Sequence, residues 1–126
     1  MAKKILIVDD DPSLLEAIDL SLTYLGFQVR PLLASGNIMP MIKDFEPDLI
    51  ILDYILKGIT GSEVCSQLKK NPVTEEIPII MLSGFSGDLN TIKSCGYDLF
   101  ISKPLDLDFL VRKINNCLHI PPLAVE

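Results

Sequence analysis

Histidine occurs once in this chain of 126 residues, at position 119, and cysteine only three times. A lone histidine near the carboxyl end gives no support to a Ser/His/Asp triad or a phosphohistidine and reads as a solvated surface residue. Cys65, Cys95 and Cys117 are odd in number, lack any CxxC spacing and fall in stretches of helical pattern. They read as small core hydrophobes, not as a disulfide framework or zinc site, and a reducing cytoplasm is expected. Positive charge is short too: 11 Lys and Arg against 17 Asp and Glu give a net charge of −6. No basic stripe is present, which disfavours direct nucleic-acid binding, because neutralising phosphates needs clustered cations. Long apolar runs are missing. Only four apolar residues separate Met1-Ala2-Lys3-Lys4 from the first acids, too few for a signal-peptide core, and no stretch reaches membrane length. Neither a GxGxxG nor a Walker pattern occurs, and Gly58, Gly61, Gly84 and Gly87 read as turn formers.

What the chain does have is four short apolar strands that each end on a polar residue. Ile5-Leu6-Ile7-Val8 runs into Asp9-Asp10-Asp11, Leu49-Ile50-Ile51-Leu52 into Asp53, Ile79-Ile80-Met81-Leu82 into Ser83, and Leu99-Phe100-Ile101-Ser102 into Lys103. Helix-like segments alternate with these strands, which predicts one α/β domain with a parallel sheet covered on both faces. The first helix is expected over Pro12–Leu25 with Asp11 as N-cap and Gly26 ending it. A strand at Phe27–Leu32 carries Pro31, which lacks the N–H a central strand needs, so it belongs at a sheet edge. A short helix is expected from Met39, with Pro40 in its first turn, and another over Ser62–Lys70, stopped by Asn71-Pro72. Between Gly87 and Gly96 only eight residues remain, room for about two turns at ~3.6 residues each, so the fourth helix is short. A fifth is expected over Asp106–Leu118. Residues 1–119 form the domain, and 120–126, with Pro121-Pro122, read as a tail or a truncated linker.

In a doubly wound sheet, ligands bind where the strand order reverses. With the second strand at the edge, that reversal falls between the first and third strands and sets Asp9 and Asp10 opposite Asp53. Two unit charges ~4 Å apart repel by roughly 4 kcal/mol at an effective dielectric near 20, so converging carboxylates call for a cation. Oxygen-only ligands favour Mg²⁺ over Zn²⁺. Mg²⁺ beside carboxylates, with the Ser83 hydroxyl and the Lys103 ammonium opposite, suits phosphoryl transfer, with Asp53 as nucleophile.

These pieces together resemble the receiver domain of bacterial two-component response regulators, the CheY-like family. The resemblance is carried by ILIVDDDPSLLEAI, PDLIILDYILKGITG, IPIIMLSGFSG and LFISKPLDLDFL. It implies a three-layer, flavodoxin-like, five-stranded parallel sheet in order 2-1-3-4-5. It also implies that Asp53 is the phosphoacceptor. Mg²⁺ would be held by Asp10, Asp53 and the backbone carbonyl of Ile55, with Asp9 acting through water. Phe100 would be the aromatic switch residue, working with Ser83, and Lys103-Pro104 would be joined by a cis peptide. The partners implied are a sensor histidine kinase or histidine phosphotransfer protein and an unidentified output partner or domain. No direct contact with nucleic acid or membrane is expected.

The chain departs from the family pattern at Leu56-Lys57-Gly58, where Leu-Pro-Gly is usual, and at Gly84, where alanine is usual. The spacing from Ser83 to Lys103 is about two residues shorter than expected of the family, and the loss falls in the fourth helix. The family's usual symmetric dimer through that helix is therefore not expected. Ile55 and Phe85 are apolar at positions that in this fold flank the path of an attacking water, which predicts slow self-dephosphorylation. Two competing readings were weighed. Asp9-Asp10-Asp11-Pro12-Ser13 superficially matches the DxDx[ST] motif of haloacid dehalogenase-type phosphatases, with Asp9 as nucleophile, but that family needs an insertion soon after the first strand and a further acidic motif. A receiver fold that serves only for docking would not need the intact acidic pair, acceptor, hydroxyl and lysine.

Overall fold

The computed structural model describes residues 2–33, 38–56, 59–84 and 95–121, with Ile55 and Ile59 described by backbone alone. In chain order the elements are β1 (Lys4–Asp9), α1 (Pro12–Tyr24), β2 (Gln28–Leu33), α2 (Met39–Phe45), β3 (Leu49–Asp53), β4 (Ile55–Leu56), β5 (Ile59–Thr60), α3 (Gly61–Lys70), β6 (Ile79–Ser83), β7 (Leu99–Ser102) and α4 (Leu107–Cys117). Five strands form one sheet in the order β2-β1-β3-β6-β7, and all four pairings are parallel. Numbered among the long strands alone, this is the expected 2-1-3-4-5.

Both faces of the sheet are covered, and the sequence shows why. The strands are continuous apolar runs, not alternating ones, so side chains of either parity need burial. Leu6, Val8, Ile50, Leu52, Ile79 and Met81 pack under α2 and α3, against Ile42, Phe45, Val64, Cys65 and Leu68. The intervening Ile5, Ile7, Leu49, Ile51, Ile80 and Leu82 pack under α1 and α4, against Leu15, Ile18, Leu22, Leu110 and Ile114.

Local chemistry sets the helix ends. Asp11 Oδ1 accepts from the N–H groups of Ser13 at 3.0 Å and Leu14 at 3.4 Å, and Pro12 occupies the first turn, where its missing N–H costs nothing. Gly26 takes φ +98°, the left-handed conformation that ends α1. Asp106 caps α4 in the same way as Asp11 caps α1. Helix α2 begins at Met39 with Pro40 in its first turn, as expected.

Strand β2 is an edge strand. The Gln28 N–H donates to Lys3, so alternate residues point inward and Pro31 turns its missing N–H outward. Strand β2 runs one residue later than expected. Helix α3 begins one residue earlier, because Thr60 Oγ1 accepts from the Glu63 N–H and caps it. The sequence reading also missed the antiparallel ribbon of β4 and β5, whose two-residue strands carry no periodicity. Cys95 lies outside regular structure, not in a helix. Apart from Cys95, the fourth helix expected between Gly87 and Gly96 falls on residues 88–94, outside the described residues. No helix among the described residues is long and apolar enough to cross a membrane.

Candidate functional site

Parallel register brings the polar strand ends together. Val8 pairs with Leu52 and Asp53 with Leu82, while Ser83 pairs with Ser102. The residues that close β1, β3 and β6, and the residue that follows β7, therefore share one edge of the sheet. Carboxylate oxygens of Asp9, Asp10 and Asp53 lie within 4.8 Å of one another. Asp9 is 0 % exposed, Asp53 6 % and Ser83 1 %, whereas Asp10 is exposed. The pleat puts Asp9 and Asp53 on the α1 and α4 side, in line with Ile5, Ile7, Leu49 and Ile51. Ser83 follows the parity of Ile79 and Met81, the side on which Phe100 packs.

Lys103 reaches across the cluster. Its Nζ donates to Asp9 Oδ2 at 3.1 Å and stands 3.5 Å from Asp53 Oδ2. Burial by itself would pull the ammonium down, but the hydrogen bond to Asp9 and the charges of Asp53 and Asp9 outweigh it and raise its pKa above the ordinary lysine value. The backbone fixes the stem: Lys103 N–H donates to the Ser83 carbonyl at 2.7 Å. The Lys103-Pro104 peptide is cis, as the resemblance implied. Asp9 also accepts the Asp11 N–H at 3.0 Å, so it serves the entry to α1 as well as Lys103. That helix starts three residues after Asp9, leaving no insertion of the kind the phosphatase reading required.

Three carboxylates against one ammonium leave a formal surplus of two negative charges at a site built from oxygen donors. That donor set fits a hard divalent cation such as Mg²⁺. Around it, Phe100 is half-buried on the α2 and α3 side, its ring 6.0 Å from that of Tyr97 at 52°. The backbone of Ile55 lies in β4, next to the cluster in sequence. Phe85 lies outside the described residues, as do Lys57 and Gly58.

One contributor escaped sequence reading. Gly61, expected to be a turn former, is the first residue of α3 and lies flat on the backbone of Asp53. Its N–H donates to the Tyr54 carbonyl at 2.6 Å. A Cβ there would overlap the Asp53 carbonyl oxygen and stand 2.9 Å from both the Asp53 carbonyl carbon and Tyr54 Cα. The only local signal was a glycine directly after Thr60, in front of a helical pattern.

The family model for the response regulator receiver domain matches residues 5–115. The phosphate regulon transcriptional regulatory protein PhoB of Pseudomonas aeruginosa is 35% identical over 121 residues, covering 94% of this chain and 53% of that protein. The chain thus spans about half the length of the curated relatives it matches. Among solved structures, a CheY-like response regulator receiver domain protein from Methanospirillum hungatei superposes with a TM-score of 0.86 at 28% identity, covering 94% of this chain and 95% of that one. The signal receiver domain of a signal transduction histidine kinase from Syntrophus aciditrophicus gives 0.87 at 28% identity, covering 99% and 96%.

Proposed function

This chain belongs to the response regulator receiver domain family, and on that premise we propose that residues 1–119 are the phosphoacceptor module of a cytoplasmic two-component system or phosphorelay. A phosphohistidine on a sensor kinase or histidine phosphotransfer protein supplies the phosphoryl group. Its N–P bond breaks, an Asp53 carboxylate oxygen forms the new O–P bond, and the imidazole leaves. Lys103 neutralises phosphoryl oxygens, and the Ser83 hydroxyl donates to one of them. Asp10, Asp53 and the Ile55 backbone carbonyl would hold Mg²⁺, with Asp9 reaching it through water. When bound, the ion supplies further charge neutralisation at the phosphoryl oxygens. The chain promotes its own phosphorylation and slow dephosphorylation, and it does not turn over a separate substrate.

The phosphoryl group, carrying about −2 charge, draws Ser83 toward Asp53, and Phe100 turns into the space released. Their common side of the sheet supports this coupling. Ile55 and Phe85, apolar residues two positions after the acceptor and the hydroxyl in sequence, cannot orient an attacking water, so the phosphoryl group is long-lived. Ile55→Asn with Phe85→Glu shortens that lifetime, and an unchanged lifetime would remove both residues from this role. The net charge of −6 supports an output through protein contacts and not through direct binding of nucleic acid.

The observation that carries the proposal is the close approach of the Asp9, Asp10 and Asp53 oxygens, with Lys103 spanning Asp9 and Asp53. The test is intact mass after incubation with acetyl phosphate and Mg²⁺. One phosphoryl adduct is expected, lost in Asp53→Ala and in chelator but only diminished in Asp9→Ala. No adduct on the wild type would leave a docking module, and an adduct dependent on Asp9 alone would restore the phosphatase reading.

A further inference from the structure

Away from the carboxylates, α3 and the approach to β7 run side by side. Lys69 Nζ donates to Asp98 Oδ2 at 3.4 Å. The backbone of Gly96 lies against the lysine stem, where a Cβ would stand 3.0 Å from Lys69 Cγ. One helical turn earlier on α3 stands Cys65, with Cys95 as its neighbouring thiol. Cys95 packs on the same apolar cluster that contains Cys65. Cys65 is fully buried, Cys95 is half-buried, and both are free thiols. Two residues beyond Cys95, the Tyr97 ring meets Phe100. A covalent tie at this point would fasten α3 to the segment that leads into the switch aromatic.

We propose that Cys65 and Cys95 are a peroxide-responsive thiol pair whose oxidation to an intramolecular disulfide fastens α3 to the approach of β7 and slows phosphorylation. The effect on phosphorylation rests on the receiver reading above, but the bond does not. Cys95 has the solvent access and reacts first: its sulfur takes one oxygen from hydrogen peroxide, giving a sulfenic acid and releasing water. The Cys65 sulfur then attacks the Cys95 sulfur. The S–S bond forms, the S–OH bond breaks, and hydroxide leaves with the proton of the Cys65 thiol as a second water. Burial, together with the neighbouring Cys95 thiol, pushes the Cys65 pKa far above its usual range. The thiolate is the attacking form, so this makes the attack by Cys65 the slower of the two steps.

The test uses the full chain carrying Cys117→Ser, treated with hydrogen peroxide and then alkylated under denaturing conditions. The expected product is a monomer lighter by two hydrogen atoms, with neither remaining thiol alkylated and one cross-linked peptide joining Cys65 to Cys95. It should be absent in Cys95→Ser and in Cys65→Ala, and reversed by dithiothreitol. Higher oxidation states without a cross-link, or disulfides only between chains, would overturn the pairing. Phosphorylation by acetyl phosphate, compared before and after oxidation, should slow several-fold and recover on reduction. An unchanged rate would overturn the regulatory effect. A cross-linked product with no phosphoryl adduct in either redox state would overturn that effect through the receiver reading, with the bond itself upheld by mass.

Discussion

Replacing Gly61 by alanine puts a methyl group into the backbone of Asp53, the proposed phosphoacceptor. The atoms it meets are the Asp53 carbonyl and Tyr54 Cα, main-chain groups in and beside a fully paired strand that cannot swing aside as a side chain would. Relief requires α3 to withdraw by about 1 Å to reach an ordinary C···O contact of ~3.3 Å. Overpacking of this kind costs about 1–3 kcal/mol. The 2.6 Å bond from the Gly61 N–H to Tyr54 lengthens or breaks, a further ~1 kcal/mol. Alanine returns at most ~1 kcal/mol through its better helix propensity. The net expectation is a loss of roughly 1–3 kcal/mol, which at ~1.5 kcal/mol per molar of urea lowers the midpoint by about 0.7–2 M. Gly84→Ala is the matched control, because a Cβ there meets no atom of the described residues within 4 Å, and it should change stability by less than ~0.5 kcal/mol. Urea titration followed by far-UV circular dichroism gives both numbers. Acetyl phosphate labelling of the folded variant should fall by about tenfold or more, since ~1 Å of misplacement can cost up to ~100-fold in rate. A Gly61→Ala protein as stable as Gly84→Ala would refute the claim that α3 rests on the Asp53 backbone.

Three further outcomes are expected. Lys103→Met strands the buried Asp9 charge and should destabilise the fold by about 3 kcal/mol. Because the folded-state pKa of Lys103 is raised above 10.5, its contribution is complete below that pH and is lost as pH climbs through the folded value. The stability gap between wild type and Lys103→Met should therefore stay level to about pH 10 and close above it, and a gap that widens in alkali would contradict the pairing. Mg²⁺ should raise the urea midpoint, by about 2.7 kcal/mol of stability at a hundredfold excess over its dissociation constant. Asp10→Ala should flatten that response, and a flat response in the wild type would remove the metal site. Pro31→Val restores an outward N–H on the edge strand and should promote concentration-dependent association in sedimentation velocity. An unchanged concentration dependence of sedimentation would show that the proline does not protect that edge.

The parts of this structure legible in the sequence are those set by neighbours along the chain. Asp11 and Pro12 mark the start of α1 within four residues of sequence, and Pro31 declares an edge strand by the donor it lacks. The four polar strand ends became a site through one topological inference, that parallel strands share a carboxyl edge. What stayed hidden depends on approach across space. Gly61 is necessary because the Asp53 carbonyl at the end of β3 lies above it, and nothing local distinguishes it from a glycine in a turn. Lys69 reads as one more solvated helix lysine until the loops before β6 and β7 fold under it. Cys95 was read as helical from its apolar neighbours, yet its place is set by packing against α3. The β4 and β5 ribbon is too short to show any period.

Lys69 has a further consequence. Its ammonium donates to the carbonyls of Glu75 and Ile77 and to Asp98, while the Asp98 carboxylate also accepts the Ile79 N–H. The amino ends of β6 and β7 are thus pinned to α3 at the end of the sheet farthest from Asp53. Ser83 and Lys103 sit at the far ends of two levers that share a fulcrum. A strand of five residues makes an arm of about 16 Å, so a tilt of about 5° carries its tip ~1.4 Å. The pin sets how far a small rotation at the closed end of the sheet is magnified at the carboxylates.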